Sequence, residues 1–374
     1  MIEPVDLASL SAPAQKMAAA AAPLKLQEMA AKGVAPGIKP GEMVALLVVF
    51  SASERPTVKE AAEKTLGALP EPLLAGALGS DLPAAVIDVL AQVYATRIDV
   101  LDKLLSMPRA APETVEVLAQ RGSEEVTELV AVNEDRLLKN PRIIERLYLN
   151  KATRMSTADR LIDLAVRNDI TLNGIAAFKE AALAIQDELI PLPSPELSPD
   201  DLLFQETNEL SEQLQQESAA EEDTHVETPE GAEVVKDKFM SLYQRIANMT
   251  VSQKIRRAML GSKEERMLLV RDTNRLVAAA VVRSPMMQEP EAALISRNRN
   301  VSEDVLRILG TTPEWSKSYS VKKNLVENAK TPIMIASKIV PLLREYDLKQ
   351  IAKSKNVTGA VKEAARRHLD RRKS

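Results

Sequence analysis

Side chains able to carry bond-making chemistry are few in this chain. It has two histidines, His225 and His368, and no cysteine. Histidine is the usual general base near neutral pH, and cysteine with histidine builds the common structural metal sites. His225 lies in a polar, acidic stretch, and His368 flanks an apolar stripe through Val361 and Leu369, so the two are isolated. No disulfide framework or thiolate nucleophile can form. Gly261-Ser262-Lys263 has the look of a phosphate loop, but the leading glycine is missing and no strand precedes it. The carboxylate pairs Asp200-Asp201 and Glu264-Glu265 fit helix starts, where the macrodipole favours acids. No catalytic residue, metal or cofactor is assigned, and the expectation is a protein that is not an enzyme.

Two patterns suit binding instead. The stretch from Glu180 to Val235 holds 16 acids and no base, whereas the chain from Lys236 onward carries a balance of +15. In that basic part, Arg256, Arg257, Arg271 and Arg275 cluster early, and Arg297, Arg299, Lys322 and Lys323 follow. Such an excess could meet phosphates, acidic peptides or the chain's own acidic stretch. The second pattern is Trp315-Ser316-Lys317-Ser318-Tyr319, which puts the one tryptophan and a tyrosine on one helical face beside cations. A packing role for that pair competes with a binding one.

The elements that must position these residues read as helix after helix. Aromatics make up only 3% of the chain while hydrophobic residues make up 45%, a composition of Ala, Leu, Val and Ile suited to closely packed helices. Ser262 with Glu265 is a capping box, Ser156 with Asp159 repeats the idea, and Thr312-Pro313 and Thr331-Pro332 place a cap before a first-turn proline. A recurring unit runs through the basic part. Ile295-x-x-Asn298 leads to Val305, Leu306 and Leu309; Leu325-x-x-Asn328 leads to Ile335, Ile339 and Leu342; Ile351-x-x-Ser354 leads to Val361, Ala365 and Leu369. Asparagine tolerates the left-handed turn that ends a helix, and Ser or Thr caps the next. Leu147-x-x-Asn150 shows the same grammar earlier. Val58-Lys59-Glu60-Ala61-Ala62 also recurs as Val361-Lys362-Glu363-Ala364-Ala365.

These residues predict an all-α chain of two helical-repeat lobes, 1–190 and 234–374, with an acidic, Pro-rich, disordered linker over 191–233. Within the linker, Ser198-Pro199-Asp200-Asp201 starts a short amphipathic helix near 199–214, whose Leu203, Phe204, Leu210 and Leu214 form a docking motif. The cap-and-stripe pattern resembles α-solenoid arrays of the HEAT type and, in its short period, the leucine-rich repeat variant family. The second lobe also looks like an uncharacterised bacterial repeat family, through Leu325–Pro332 and Ala352–Val357. The resemblance implies a fold and no activity; the iron–sulfur cluster that leucine-rich repeat variant proteins can carry needs cysteines that this chain lacks.

The function expected is a non-enzymatic scaffold or adaptor that binds other proteins. A nucleic-acid-binding protein working through the basic lobe is the alternative, and an enzyme using only carboxylates and lysines the third. Met1–Gly33 lacks the basic and Leu-rich parts of a signal peptide, and no apolar run approaches the roughly 18 residues that span a bilayer. A cytoplasmic location without a membrane span is therefore expected.

Overall fold

Helix starts follow directly from local chemistry. Thr250 and Ser262 each accept the N–H three residues on, and the Gln253 and Glu265 side chains accept the caps' own N–H groups, at helices Val251–Leu260 and Lys263–Leu269. Pro40, Pro56, Pro112 and Pro141 open their helices, where a missing N–H goes unfelt. The computed structural model describes residues 2–186, 188, 190, 192–217, 223–228 and 232–373. The chain is mostly helical, with 67% helix in 25 helices and a single two-stranded sheet among the described residues. No helix among them is long and apolar enough to cross a membrane.

The chain divides into two compact units, Met1–Arg154 and Met155–Ser374. This differs from a first lobe ending at 190. The helix Phe178–Ile185 packs on Val251–Leu260 and Arg275–Arg283 instead, and Glu180 pairs with Arg283 at 3.1 Å.

In the first unit, Pro40–Ser51, Ala84–Val93, Pro112–Arg121 and Pro141–Tyr148 pack one on the next. Each buries a stripe at helical spacing, such as Ile143, Ile144, Leu147 and Tyr148, all at 0% exposure. In the second unit two such rows run side by side. One comprises Val251–Leu260, Arg275–Arg283, Glu303–Thr311 and Ile333–Ile339; the other Lys263–Leu269, Glu289–Arg297, Tyr319–Glu327 and Glu345–Lys353. Val305, Leu306 and Leu309 are buried as their spacing requires, and so are Val361, Ala365 and Leu369. The third stripe departs from expectation. The helix breaks after Ile339 into a 3-10 turn, Val340–Leu342, which leaves Leu342 exposed and puts Leu343 inside.

The asparagines do different work from that foreseen. Asn298 and Asn328 end their helices in extended, not left-handed, backbone, with φ of −70° and −84°. Their value lies in the side chain. Asn328 Nδ2 donates to Ser296 O at 3.0 Å and Asn298 O at 2.8 Å, while its Oδ1 accepts from Lys330 N at 3.0 Å. In the first unit Asn150 does the same, donating to Ala119 O and Gly122 O and accepting from Ala152 N. Each asparagine thus closes its own turn and satisfies carbonyls left bare at the helix end about one repeat earlier.

The acidic connector also differs from expectation. A helix of 19 residues, Pro199–Glu217, buries Asp201, Phe204, Thr207, Ser211 and Leu214 against Met155–Arg167, Asp237–Ala247 and Lys263–Leu269. Of the residues foreseen as its docking face, Leu203 and Leu210 are half-buried at the margin, while Phe204 and Leu214 are buried. The small polar residues buried here are satisfied: Asp201 accepts from Ser156 and Ser211 donates to Glu265 on other helices, and Thr207 donates to Leu203 O of its own. Strands β1 (His225–Glu227) and β2 (Glu233–Val235) pair antiparallel. The remaining parts of the expected disordered linker, 218–222 and 229–231, lie outside the described residues.

Asn328→Ala removes two donors from buried carbonyls, so it is expected to destabilise the second unit by about 1–3 kcal/mol, measurable by urea denaturation.

Candidate functional site

Half of the arginines expected at a binding surface, Arg256, Arg257 and Arg271, are inside the second unit. Arg256 and Arg257 are 0% exposed, and both guanidinium groups lie over the Phe204 ring, 4.8 and 4.9 Å from its centroid. Arg257 forms a bidentate pair with Glu265, both bonds at 2.6 Å, and donates a third bond to Asn208 Oδ1 at 3.1 Å. Glu265 Oε2 also accepts from Ser211 Oγ at 2.8 Å and Ser262 N at 2.7 Å. Gly261 is required beside this pair, because a Cβ there would sit 2.3 Å from Glu265 Oε2. Arg266 repeats the motif with Glu291, at 2.8 and 2.7 Å. Arg257 and Arg266 thus each have a carboxylate partner, as desolvation demands.

The aromatic pair is likewise structural. Trp315 is buried, and the Tyr319 hydroxyl donates to Asp347, which also holds Lys323 at 2.9 Å. Arg344 stacks over the Tyr319 ring at 4.6 Å. Tyr319 and Lys323 therefore tie helix Tyr319–Glu327 to Glu345–Lys353 through Asp347. Lys317 is exposed, Lys322 half-buried, and Arg275 exposed in an ion pair with Asp304. His368 is half-buried on the last helix, and its Nε2 has no partner.

Arg297 and Arg299 are different. Both are exposed on the edge of a groove of about 660 Å³, between the β1–β2 hairpin and the C-terminal ends of helices Glu289–Arg297 and Tyr319–Glu327. Asn298, Asn300, Asn324 and Asn328 line its helical side; Asp223, His225 and Glu233 line the hairpin side. The Arg271 side chain, only 8% exposed, holds two of the lining acids, Asp223 and Glu233, each at 3.0 Å. Partial burial works against the Glu233 carboxylate, but bonds from Arg271, Asn300 and Asn298 outweigh it and hold its pKa at about 2. Burial, then the charge of Arg271, depresses His225 to about 4 against the pull of Glu233 and Asp223, so its imidazole is neutral at pH 7. Of the candidate residues, the groove brings together Arg297 and Arg299, and Arg271 is tied to it through Asp223 and Glu233. Sequence reasoning missed Asn298, Asn300 and Glu233 as a set. The signal was present in Asn298-Arg299-Asn300, two amides one residue apart at a repeat boundary.

No protein-family model, curated protein or solved structure matches this chain.

One buried carboxyl lies outside the paired arginines. Asp159 accepts a hydrogen bond from Ser252 Oγ, in place of the local cap expected with Ser156; Ser156 donates to Asp201 instead. Burial pushes Asp159 up to about 7, with Ser252 opposing and Glu188 adding to the rise. From its ordinary 3.8 to about 7, the folded state holds a proton that the unfolded chain has lost. Its contribution to stability therefore falls as pH rises through that window and is constant above it. Glu188, also raised by burial, acts in the same sense. The urea midpoint of the second unit should carry a decline between about pH 4 and 7 that Asp159→Asn reduces; an unchanged pH profile in the variant contradicts the assignment.

Proposed function

We propose that this chain is a non-enzymatic scaffold or adaptor that binds other proteins, built as two α-solenoid, HEAT-like arrays with a period like that of leucine-rich repeat variants. Three features support the architecture. Helices pack in rows, the asparagine bridges at Asn150 and Asn328 span 28 to 32 residues, and both units use the same bridge. Arrays of this kind present extended faces without loss of core, because each repeat needs only its neighbours. The resemblance of the second lobe to an uncharacterised bacterial repeat family agrees with that architecture and adds no activity. A cytoplasmic setting without a cofactor belongs to the same reading.

The observation that carries the functional reading is the groove beside the hairpin. Successive helix ends line it with fixed amide donors, and Arg297 and Arg299 stand exposed at its edge. Its chemistry suits an anionic partner presented as a chain segment. A nucleic acid is the second reading, favoured by the same two arginines. Affinity purification of the full chain and of an Arg297→Glu/Arg299→Glu variant from the native cell tests it. The scaffold reading expects a defined protein to be recovered with the first and lost with the second. Recovery of nucleic acid, with affinity falling steeply in salt, would favour the alternative; equal recovery of the same proteins by both would move the binding face elsewhere.

A further inference from the structure

The contents of the groove indicate what it recognises. Glu233 of β2 is gripped by four hydrogen bonds from the helical array: Arg271 Nε at 3.1 Å, Arg271 Nη2 at 3.0 Å, Asn298 Nδ2 at 2.9 Å and Asn300 Nδ2 at 3.1 Å. Both carboxylate oxygens are satisfied, each by Arg271 and one asparagine. Resting on the scaffold reading above, we propose that Arg271, Asn298 and Asn300 form a recognition site for a carboxylate side chain on an extended segment of a partner protein, and that Glu233 occupies this site in cis.

Three observations point this way. First, Asn298 and Arg271 are held by contacts within the array, and Arg271 by Asp223 as well. Asn298 Oδ1 accepts from Asn300 N at 2.6 Å, which turns its Nδ2 toward the groove, and Arg271 Nη1 is anchored on Met267 O at 2.7 Å. The helix-end carbonyls that would repel an anion are already engaged: Asn324 binds Ala293 O, and Asn328 binds Ser296 O and Asn298 O. A site built this way keeps its shape when the carboxylate is exchanged.

Second, the element occupying the site is slight. Each strand has three residues, and the facing pair Val226 and Val234 is exposed to 49% and 44%. Isolated two-stranded hairpins are marginal in water, and segments with few buried apolar contacts are the first to open. Third, Glu233 leaves part of the groove unused. Arg297 and Arg299 have no carboxylate partner among the described residues and lie beside the asparagines that hold Glu233. An extended segment repeats each face every two residues, about 7 Å apart, so alternate acids could reach the cradle and the arginines together. The cis ligand supplies one carboxylate to this row; a partner with several would displace it.

A fluorescent peptide of alternating Glu and Thr, its Gln and Thr counterpart and a DNA oligomer of equal charge serve as probes of the full chain and of Glu233→Gln. The variant keeps the shape of the side chain and removes its charge. Once the cis competitor is weakened, the acidic peptide should bind Glu233→Gln at least about tenfold more tightly than wild type, the Gln peptide should bind neither, and the gain should vanish in Glu233→Gln/Asn300→Ala. In wild type, saturating acidic peptide should speed amide exchange across 225–227 and 233–235. Equal affinity of wild type and Glu233→Gln, or no binding by the variant, overturns the carboxylate site, as does DNA binding that equals or exceeds the peptide's. None of these results bears on whether the Arg297/Arg299 face recovers a protein from the cell, so the scaffold reading stands or falls separately.

Discussion

A guanidinium taken out of water must be matched in charge and in hydrogen bonds, and Arg257 sets this demand at the centre of the second unit. Its two-point pair with Glu265 fixes the turn at Gly261-Ser262, because the same carboxylate closes the cap of the following helix. Its third donor and the remaining capacity of Glu265 reach Asn208 and Ser211 on the acidic helix. Phe204, one turn earlier, packs its ring against both Arg256 and Arg257. The pair is therefore what holds a strongly acidic helix to a basic array. A buried ion pair gains little net stability over an apolar substitute, but losing one partner leaves a naked charge inside. That asymmetry makes such a pair a device for specifying one arrangement.

The same contacts change the meaning of the charge segregation. The acidic stretch of −16 and the basic part of +15 are opposite poles in sequence. In the fold they are partly cancelled against each other, through Glu206 with Arg245, Glu180 with Arg283, and Asp223 and Glu233 with Arg271. Net charge counted along the chain overstates what a ligand would meet. Other cations of the second unit, among them Lys317, Lys338, Lys353 and Arg366, stay exposed, and Arg297 and Arg299 are the exposed pair beside the groove.

Fold class was legible because helix caps and stripes are local. Ser262 with Glu265, and the Val305, Leu306, Leu309 stripe, can be recognised within one or two turns. The acidic helix was half-legible: its start at Ser198-Pro199 was visible, but its buried face is Phe204 with Asp201, Thr207 and Ser211, which look like a solvated face until distant partners are known. Asp201 receives Ser156 from 45 residues away, and Ser211 donates to Glu265 across 54. The arginines were misplaced for the same reason. A basic run such as Arg256-Arg257 reads as surface because the acids that neutralise buried arginines are chosen by tertiary packing. The asparagines were recognised as punctuation, correctly placed but with the wrong mechanism, since a side-chain bridge across a repeat leaves no trace in backbone preference.

The central claim is that the acidic helix is an integral layer of the second unit, held by the Arg257–Glu265 pair. Amide hydrogen exchange on the full chain and on Glu265→Gln tests it most directly. The account predicts that amides across 203–214 are protected in wild type to a degree comparable with 251–260, and that Glu265→Gln releases the acidic helix. Exchange across 203–214 at unprotected rates in wild type would contradict it.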